Sequence, residues 1–368
     1  MKSLKLKSIL GILFVSLLYV SCTRELPQKT ASLILPDELY EYDKIGTNNS
    51  NATISSMIND ESRTYYDNET VTLGRVLFYD TKMSINNSVS CGSCHVQNLG
   101  FADGSRFSTG FANKSTHRNS MSITNPVQNN KMFWDSRAEN PYELSLMPVF
   151  NHLEMGMESD EMLVKKISSG DYYTKLFKDA FGTEVITKER ISIAMSCFIN
   201  SMYSKNSKWD QVFRDEGVSF TPEENLGYQL FNSAKFQCAA CHAGDNFNSQ
   251  KYYNHFSSVT GTANIGLDEV YADKGADNGS FKIPSLRNVA ITGPYMHDGR
   301  YTTLREVIEH YAHNVKDNKQ LDPRFRNANG TVKRIEVSDI EIDALVAFMR
   351  TLTDESFISD PKFSNPFK

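Results

Sequence analysis

Two short stretches decide how this chain is read: Cys91-Gly92-Ser93-Cys94-His95 and Cys238-Ala239-Ala240-Cys241-His242. Both are C-x-x-C-H. Two thiols one helical turn apart can add to the two vinyl groups of one porphyrin, and the adjoining His turns onto the iron as its proximal ligand. Two C-x-x-C pairs also suit a four-cysteine zinc site, and a single pair suits a thioredoxin-like redox centre. Against zinc, Cys94 and Cys238 are far more widely separated than the pairs of a zinc module, and a His follows both pairs. Against a redox pair, no βαβ pattern surrounds either motif. The reading is therefore two covalently bound haem c groups, one on Cys91, Cys94 and His95 and one on Cys238, Cys241 and His242.

The motifs also mark an internal repeat. Leu73-Gly74-Arg75-Val76-Leu77-Phe78 precedes the first, and Leu226-Gly227-Tyr228-Gln229-Leu230-Phe231 precedes the second. Both read L-G-x-x-L-F, with the apolar residues at helical spacing. The second of these helices starts with a capping box, Thr221-Pro222-Glu223-Glu224, and has Pro at its first position. A further helix from about Asp339 to Leu352 starts at Ser338, with Ile342, Leu345, Val346, Met349 and Leu352 on one face. Strand-like alternation is scarce. The expected class is mainly α, with two cytochrome-c-like haem domains arising from duplication. Polar stretches at Lys205-Asn206-Ser207-Lys208 and Asp215-Glu216-Gly217 put the boundary near 210, giving domains over 66–210 and 211–368. Cys197, in the apolar run Ile191–Ile199, reads as a buried core thiol.

Composition narrows the setting. The 368 residues carry 39 basic and 44 acidic side chains, a formal charge of -5, which argues against nucleic acid as a partner. Six cysteines are too few for a disulfide scaffold in a chain of this length. Lys2, Lys5 and Lys7 precede the apolar stretch Ile9 to Val20, the layout of a secretory signal. It ends at Ser21-Cys22, like a bacterial lipobox, although Tyr19 stands where that motif prefers Leu. Residues 1–21 are thus expected to be a signal peptide of lipoprotein type cleaved before Cys22. Residues 22–65 are expected to be a polar tether. The protein is placed in the periplasm, lipid-anchored to a membrane through Cys22.

The residues around the haem motifs resemble a known family. Leu73 to Gly104, Arg118-Asn119-Ser120, the run from Phe133 to Gly156 and PSLRNVAITGPYMHDG from Pro284 to Gly299 are together similar to the bacterial dihaem cytochrome c peroxidases, including the MauG-type enzymes. The resemblance implies that the N-terminal haem domain reacts with hydrogen peroxide. It implies that the C-terminal haem takes electrons from a small c-type cytochrome or other reduced donor. It also suggests a homodimer. Glu154 matches the family's distal glutamate; heterolytic O–O cleavage needs a group that moves a proton from one oxygen to the other, and a carboxylate screened from water suits that. Trp134 matches the aromatic residue between the haems. Asn119, Thr292 and Pro294 match positions that hold a calcium ion, and oxygen-only ligation suits that ion.

Three departures from the peroxidase pattern matter. Phe111 stands where members needing reductive activation place a distal His, and Phe cannot ligate iron, so the first haem is expected to be open to peroxide. His117, nearby, is an alternative ligand. Fourteen residues after His297, Tyr311 stands in place of the Met that ligates the second haem in the peroxidases; MauG-type enzymes have Tyr there. A helix over Thr303–Ala312 puts Leu304, Val307, Ile308 and Tyr311 on one face, with Met296, His310 and His313 as competing ligands. A phenolate favours ferric iron and lowers the reduction potential. Finally, Leu144 replaces a distal Gln, and His152 is either its substitute or a surface residue. The function expected is reduction of hydrogen peroxide to water. The alternatives are a MauG-like oxidase that uses high-valent haems to modify a partner protein, and a non-enzymatic electron-transfer protein.

Overall fold

Helix α1 (Asn68–Tyr79) begins where Asp67 accepts a hydrogen bond from the Thr70 amide at 2.8 Å, and every residue from Thr70 to Tyr79 is buried. This satisfies one of the unpaired donors of the first turn. The computed structural model describes residues 31–43, 66–129, 131–248 and 261–368. Along the chain follow α2 (Cys91–Cys94), α3 (Pro141–Phe150), α4 (Asp160–Ser168), α5 (Asp171–Phe181) and α6 (Lys188–Ser201). After these come α7 (Lys208–Phe213), α8 (Pro222–Phe231), α9 (Leu304–Glu309), α10 (Asp339–Arg350) and α11 (Glu355–Ser359). The single sheet among the described residues is a pair of two-residue strands, β1 (Thr262–Ala263) antiparallel to β2 (Phe281–Lys282). The mainly α class is as expected, and the caps at Thr221 and Ser338 are the predicted capping boxes.

The duplication is visible in how helices cross. Glycine in the L-G-x-x-L-F motif is where α1 lies against α6: a Cβ on Gly74 would stand 1.9 Å from the Ala194 carbonyl oxygen and 2.8 Å from the Phe198 Cβ. In the second half, a Cβ on Gly227 of α8 would stand 1.9 Å from the Ala344 carbonyl oxygen and 2.7 Å from the Phe348 Cβ of α10. The two crossings use equivalent residues. Backbone blocks the added methyl in both, so Gly227→Ala should lower stability by at least about 1–3 kcal/mol through overpacking. A lowered urea midpoint in haem-loaded protein would register it.

Each crossing anchors a core. The first gathers Leu73, Val76, Leu77 and Phe78 of α1, Leu163 and Ile167 of α4, Tyr173 and Phe177 of α5, and Ile191, Ile193, Ala194, Met195, Cys197 and Phe198 of α6. Cys197 is fully buried there, and burial pushes its thiol up. The second gathers Phe231, Leu304, Ile308, Ile342, Leu345, Phe348, Met349 and Leu352. No helix among the described residues is long and apolar enough to cross a membrane.

The boundary expected at residue 210 falls inside α7, whose Trp209 packs on the second core and whose Asp210 makes a buried bidentate pair with Arg287, both bonds 2.8 Å. At the other end, Phe357, Phe363 and Phe367 leave the second half and pack on the first core. Tyr79 donates its hydroxyl to Phe363 O at 2.6 Å, and Arg75 Nε donates to Ser364 O at 2.7 Å. Part of the predicted tether belongs there too: Leu33 bridges to Phe367, and the buried Tyr42 donates its hydroxyl to Lys362 O at 3.0 Å. Apolar side chains spaced among polar ones (Leu33, Leu35, Tyr40, Tyr42) explain why composition alone suggested a free segment. Residues 1–30, with the signal segment and Cys22, and 44–65 lie outside the described residues.

Candidate active site

Helix α2 is one turn long and consists of the first Cys-x-x-Cys itself. The Ser90 amide donates to Ser93 Oγ at 3.0 Å, capping the turn, and the His95 amide closes onto Cys91 O at 2.9 Å. This brings both thiols to one side and leaves the imidazole at the exit. The second motif is built with a tighter turn over Cys238–Ala240, and the His242 amide closes onto Cys238 O at 2.9 Å.

The two imidazoles are held alike. His95 Nδ1 lies 2.9 Å from Phe101 O, and His242 Nδ1 lies 2.9 Å from Phe247 O. A carbonyl oxygen only accepts, so Nδ1 carries the proton and Nε2 keeps its lone pair. Burial pulls the His95 imidazole below its ordinary value and the His242 imidazole down to about 4, keeping both neutral. Neutral imidazoles oriented through Nδ1, each beside two thiols, are the donor set that covalent haem requires. Among the described residues no three His, Cys, Asp or Glu side chains gather to hold a bare metal ion. The two C-x-x-C pairs therefore do not form one zinc site.

The first cavity is lined by Cys91, Cys94, His95, Ile123, Leu144, Pro148, Glu154, Met155 and Met195, among others. Glu154 thus faces the space beside the first Cys-x-x-Cys-His motif. Burial pushes its carboxyl above the ordinary range, with the Arg137 guanidinium pulling partly back. Its partner was not foreseen: Asn151 Nδ2 donates to Glu154 Oε1 at 2.8 Å, while Asn151 Oδ1 accepts the Leu153 amide at 2.9 Å. Asn151 thereby fixes the orientation of the acid. The sequence signal was only an Asn at the end of a Pro-containing helix, three residues before the Glu. Asn151→Ala should cut peroxide turnover about tenfold, the loss of about 1.4 kcal/mol of positioning. It should also move the acid limb of the pH profile upward, because a donor that favours the charged carboxylate is gone.

Phe111 offers no ligating atom and does not line the cavity. Its amide donates to Glu154 O at 2.8 Å, and its ring lies so close to Gly156 (φ +73°) that a Cβ there would be 2.3 Å away. The loop of Phe111 and the loop of Glu154 therefore brace each other. His117 and His152 are both exposed and line neither cavity. Leu144 does line the first cavity, so the distal pocket is apolar where an amide is usual.

The second cavity is about 710 Å3, within the roughly 300–1,000 Å3 of sites that hold cofactors. Cys238, Cys241, His242, Met296 and Tyr311 all line it. The predicted helix to Ala312 is instead α9 followed by a π-helical turn, His310–Asn314. Such turns often sit at functional sites. Tyr311 lies in that turn with its ring stacked on Phe325 at 5.8 Å, and burial, then the nearby Cys241 and Cys238, push its phenol up. His310 is buried. Its Nδ1 meets Tyr301 Oη at 3.2 Å and its Nε2 meets Ile265 O at 3.0 Å, so neither nitrogen is left for iron. His313 is exposed. Of the competing ligands, Met296 alone shares the cavity with Tyr311.

One extended segment separates the two cavities. Ser120 and Ile123 line the first, while Asn119, Met121, Ser122 and Thr124 line the second. Trp134 stands at this wall: it lines the second cavity and donates Nε1 to Asn119 O at 2.9 Å. Thr292 and Pro294 line the same cavity as Asn119. Arg118 binds Asp135 at 2.6 Å and Asp273 at 2.6 and 2.7 Å, tying the segment to both halves.

Known proteins share these features. The family model for di-haem cytochrome c peroxidase matches residues 68–217, and that for cytochrome c matches residues 225–353. The chain is 29% identical over 302 residues to cytochrome c551 peroxidase of Nitrosomonas europaea, covering 80% of this chain and 81% of that one. It is 30% identical over 291 residues to the methylamine utilization protein MauG of Methylorubrum extorquens, covering 78% and 79%. A crystal structure of a MauG-like protein associated with microbial copper homeostasis superimposes with a TM-score of 0.72 at 29% identity, covering 93% of this chain and 99% of that one. Two haem-attachment motifs, a repeated helix crossing and a half-buried carboxylate facing the first motif find their common explanation here: the chain belongs to the di-haem cytochrome c peroxidase family.

Proposed function

We propose that this oxidoreductase reduces hydrogen peroxide to water in its first haem domain, using electrons from a small c-type cytochrome or similar carrier taken up by the second. Two electrons and two protons convert one peroxide into two waters. Held by Cys91, Cys94 and His95 and by Cys238, Cys241 and His242, the two haems supply the redox chemistry. The observation that carries the reading is Glu154, screened from water in the cavity of the first motif and oriented by Asn151. As a carboxylate its Oε2, the oxygen not bonded to Asn151, takes a proton from one peroxide oxygen and returns it to the leaving one. Leu144, Pro148 and Ile123 keep bulk water from the pocket. Trp134, in the wall between the cavities, lies on the path between the domains.

A second reading is a MauG-like oxidase that modifies side chains of a partner protein. Tyr311 in the second cavity favours it. The finer assignments follow the same logic. Tyr311, lining the second cavity beside His242, would hold the iron of the second haem through its phenol oxygen. Asn119, Thr292 and Pro294 hold a calcium ion through neutral oxygens, supported by their shared cavity wall. The N-terminal signal directs the protein to the periplasm, with Cys22 as a lipid anchor, and the chain pairs as a homodimer.

The test adds hydrogen peroxide and reduced c-type cytochrome to diferric, fully haem-loaded protein without pre-reduction. Immediate catalytic oxidation of the cytochrome is expected. Haems that reach a long-lived oxidised state while the cytochrome is barely consumed would favour the oxidase. No haem response would overturn both.

A further inference from the structure

Lys282, the second residue of β2, is 4% exposed. Its backbone amide donates to Trp134 O at 2.7 Å, which sets the residue beside the wall between the cavities. Its side chain lines the second cavity, yet its ammonium makes no hydrogen bond or ion pair within the described protein. An unpaired buried ammonium costs several kcal/mol. Desolvation alone pulls Lys282 down to about 8. The other cations lining this cavity are less buried, and Arg324 is already paired with Asp322 at 2.6 Å. Glu336 is the one carboxylate among the lining residues; it is exposed and does not reach Lys282.

The missing anion must therefore come from what fills the cavity. Cys238 and Cys241 take the vinyl edge of a porphyrin, so its two propionates lie along the edge away from them. We propose that Lys282 holds a propionate carboxylate of the haem attached at Cys238 and Cys241, on the side facing Trp134. This rests on the haem reading of the second cavity and adds to it an anchor and a charge. The cation offsets the negative charge of the propionate beside the iron. It therefore raises the potential of the second haem, opposing the downward pull of a Tyr311 phenolate.

The measurement is resonance Raman spectroscopy and a spectroelectrochemical titration of Lys282→Gln holoprotein, with haem content counted in parallel. The propionate bending bands of one haem should shift, and the potential of the second haem should fall while that of the first stays. If Lys282→Gln yields no loaded protein, Lys282→Arg takes its place. It keeps the charge, so its potential should stay near wild type while its altered donor geometry shifts the same bands. Unchanged bands in a variant carrying two haems overturn the proposal alone. Wild-type protein carrying one haem, at Cys91 and Cys94, would overturn the haem reading of the second cavity as well.

Discussion

Glu154→Gln protein is expected to keep both haems and to lose peroxide turnover by about 10²–10⁴-fold, the usual contribution of a positioned acid–base group. Gln keeps the size and the contact with Asn151 Nδ2, so the cavity should not collapse. What it loses is the ability to hold a proton between the two steps of O–O cleavage. The pH profile gives a second check. Burial raises the Glu154 carboxyl above its ordinary value. The carboxylate is the form that accepts the first proton, so wild-type activity should fall as pH drops through that raised value, at a pH where ordinary carboxylates are still charged. In Glu154→Gln the residual rate should lack this acid limb. A variant that retained wild-type turnover with the limb intact would assign the proton transfer to another group.

Tyr311→Met should raise the reduction potential of the second haem by an amount on the order of hundreds of millivolts, since axial ligands shift haem potentials over about 0.8 V. The direction follows from charge. A phenolate is an anion that stabilises the ferric state, whereas a thioether is neutral and favours the ferrous one. In the protein alone, burial and then the neighbouring Cys241 and Cys238 push the Tyr311 phenol up. Tyr311→Phe offers the sharper control. Its second haem should lose the ferric spectrum of an anionic oxygen ligand; an unchanged spectrum would pass the position to Met296, which lines the same cavity.

Covalent chemistry and short-range order were the legible parts of this chain. The C-x-x-C-H spacing, the capping boxes at Thr221 and Ser338 and the L-G-x-x-L-F repeat are local patterns, and each appears where the sequence puts it. The glycine of the repeat announced a helix but not its purpose, because the backbone it touches at Ala194 and Ala344 is more than a hundred residues away. Polar composition pointed to a boundary near 210 but not to what the polar groups there do. Asp354 Oδ2 takes the amides of Lys205 and Asn206 at 2.9 and 2.8 Å. Hydrophilic residues there are partners in a fixed joint. The π-helical turn at His310–Asn314 was equally hidden, since inserting one residue leaves apolar spacing nearly unchanged over a single turn. Asn151 and Lys282 matter through what faces them across space, which no spacing rule reports.

The return of Phe357, Phe363 and Phe367 to the first core bears on how the molecule comes to exist. Domains made on the ribosome commonly fold in order, N-terminal first. Here the last residues of the chain complete the first core: Phe363 packs beside Tyr42 and Phe367 beside Tyr172, places that can be filled only after the second half has been synthesised. Haem attachment at Cys91 and Cys94 before that point would meet a chain whose leading half is not yet closed, with both thiols accessible.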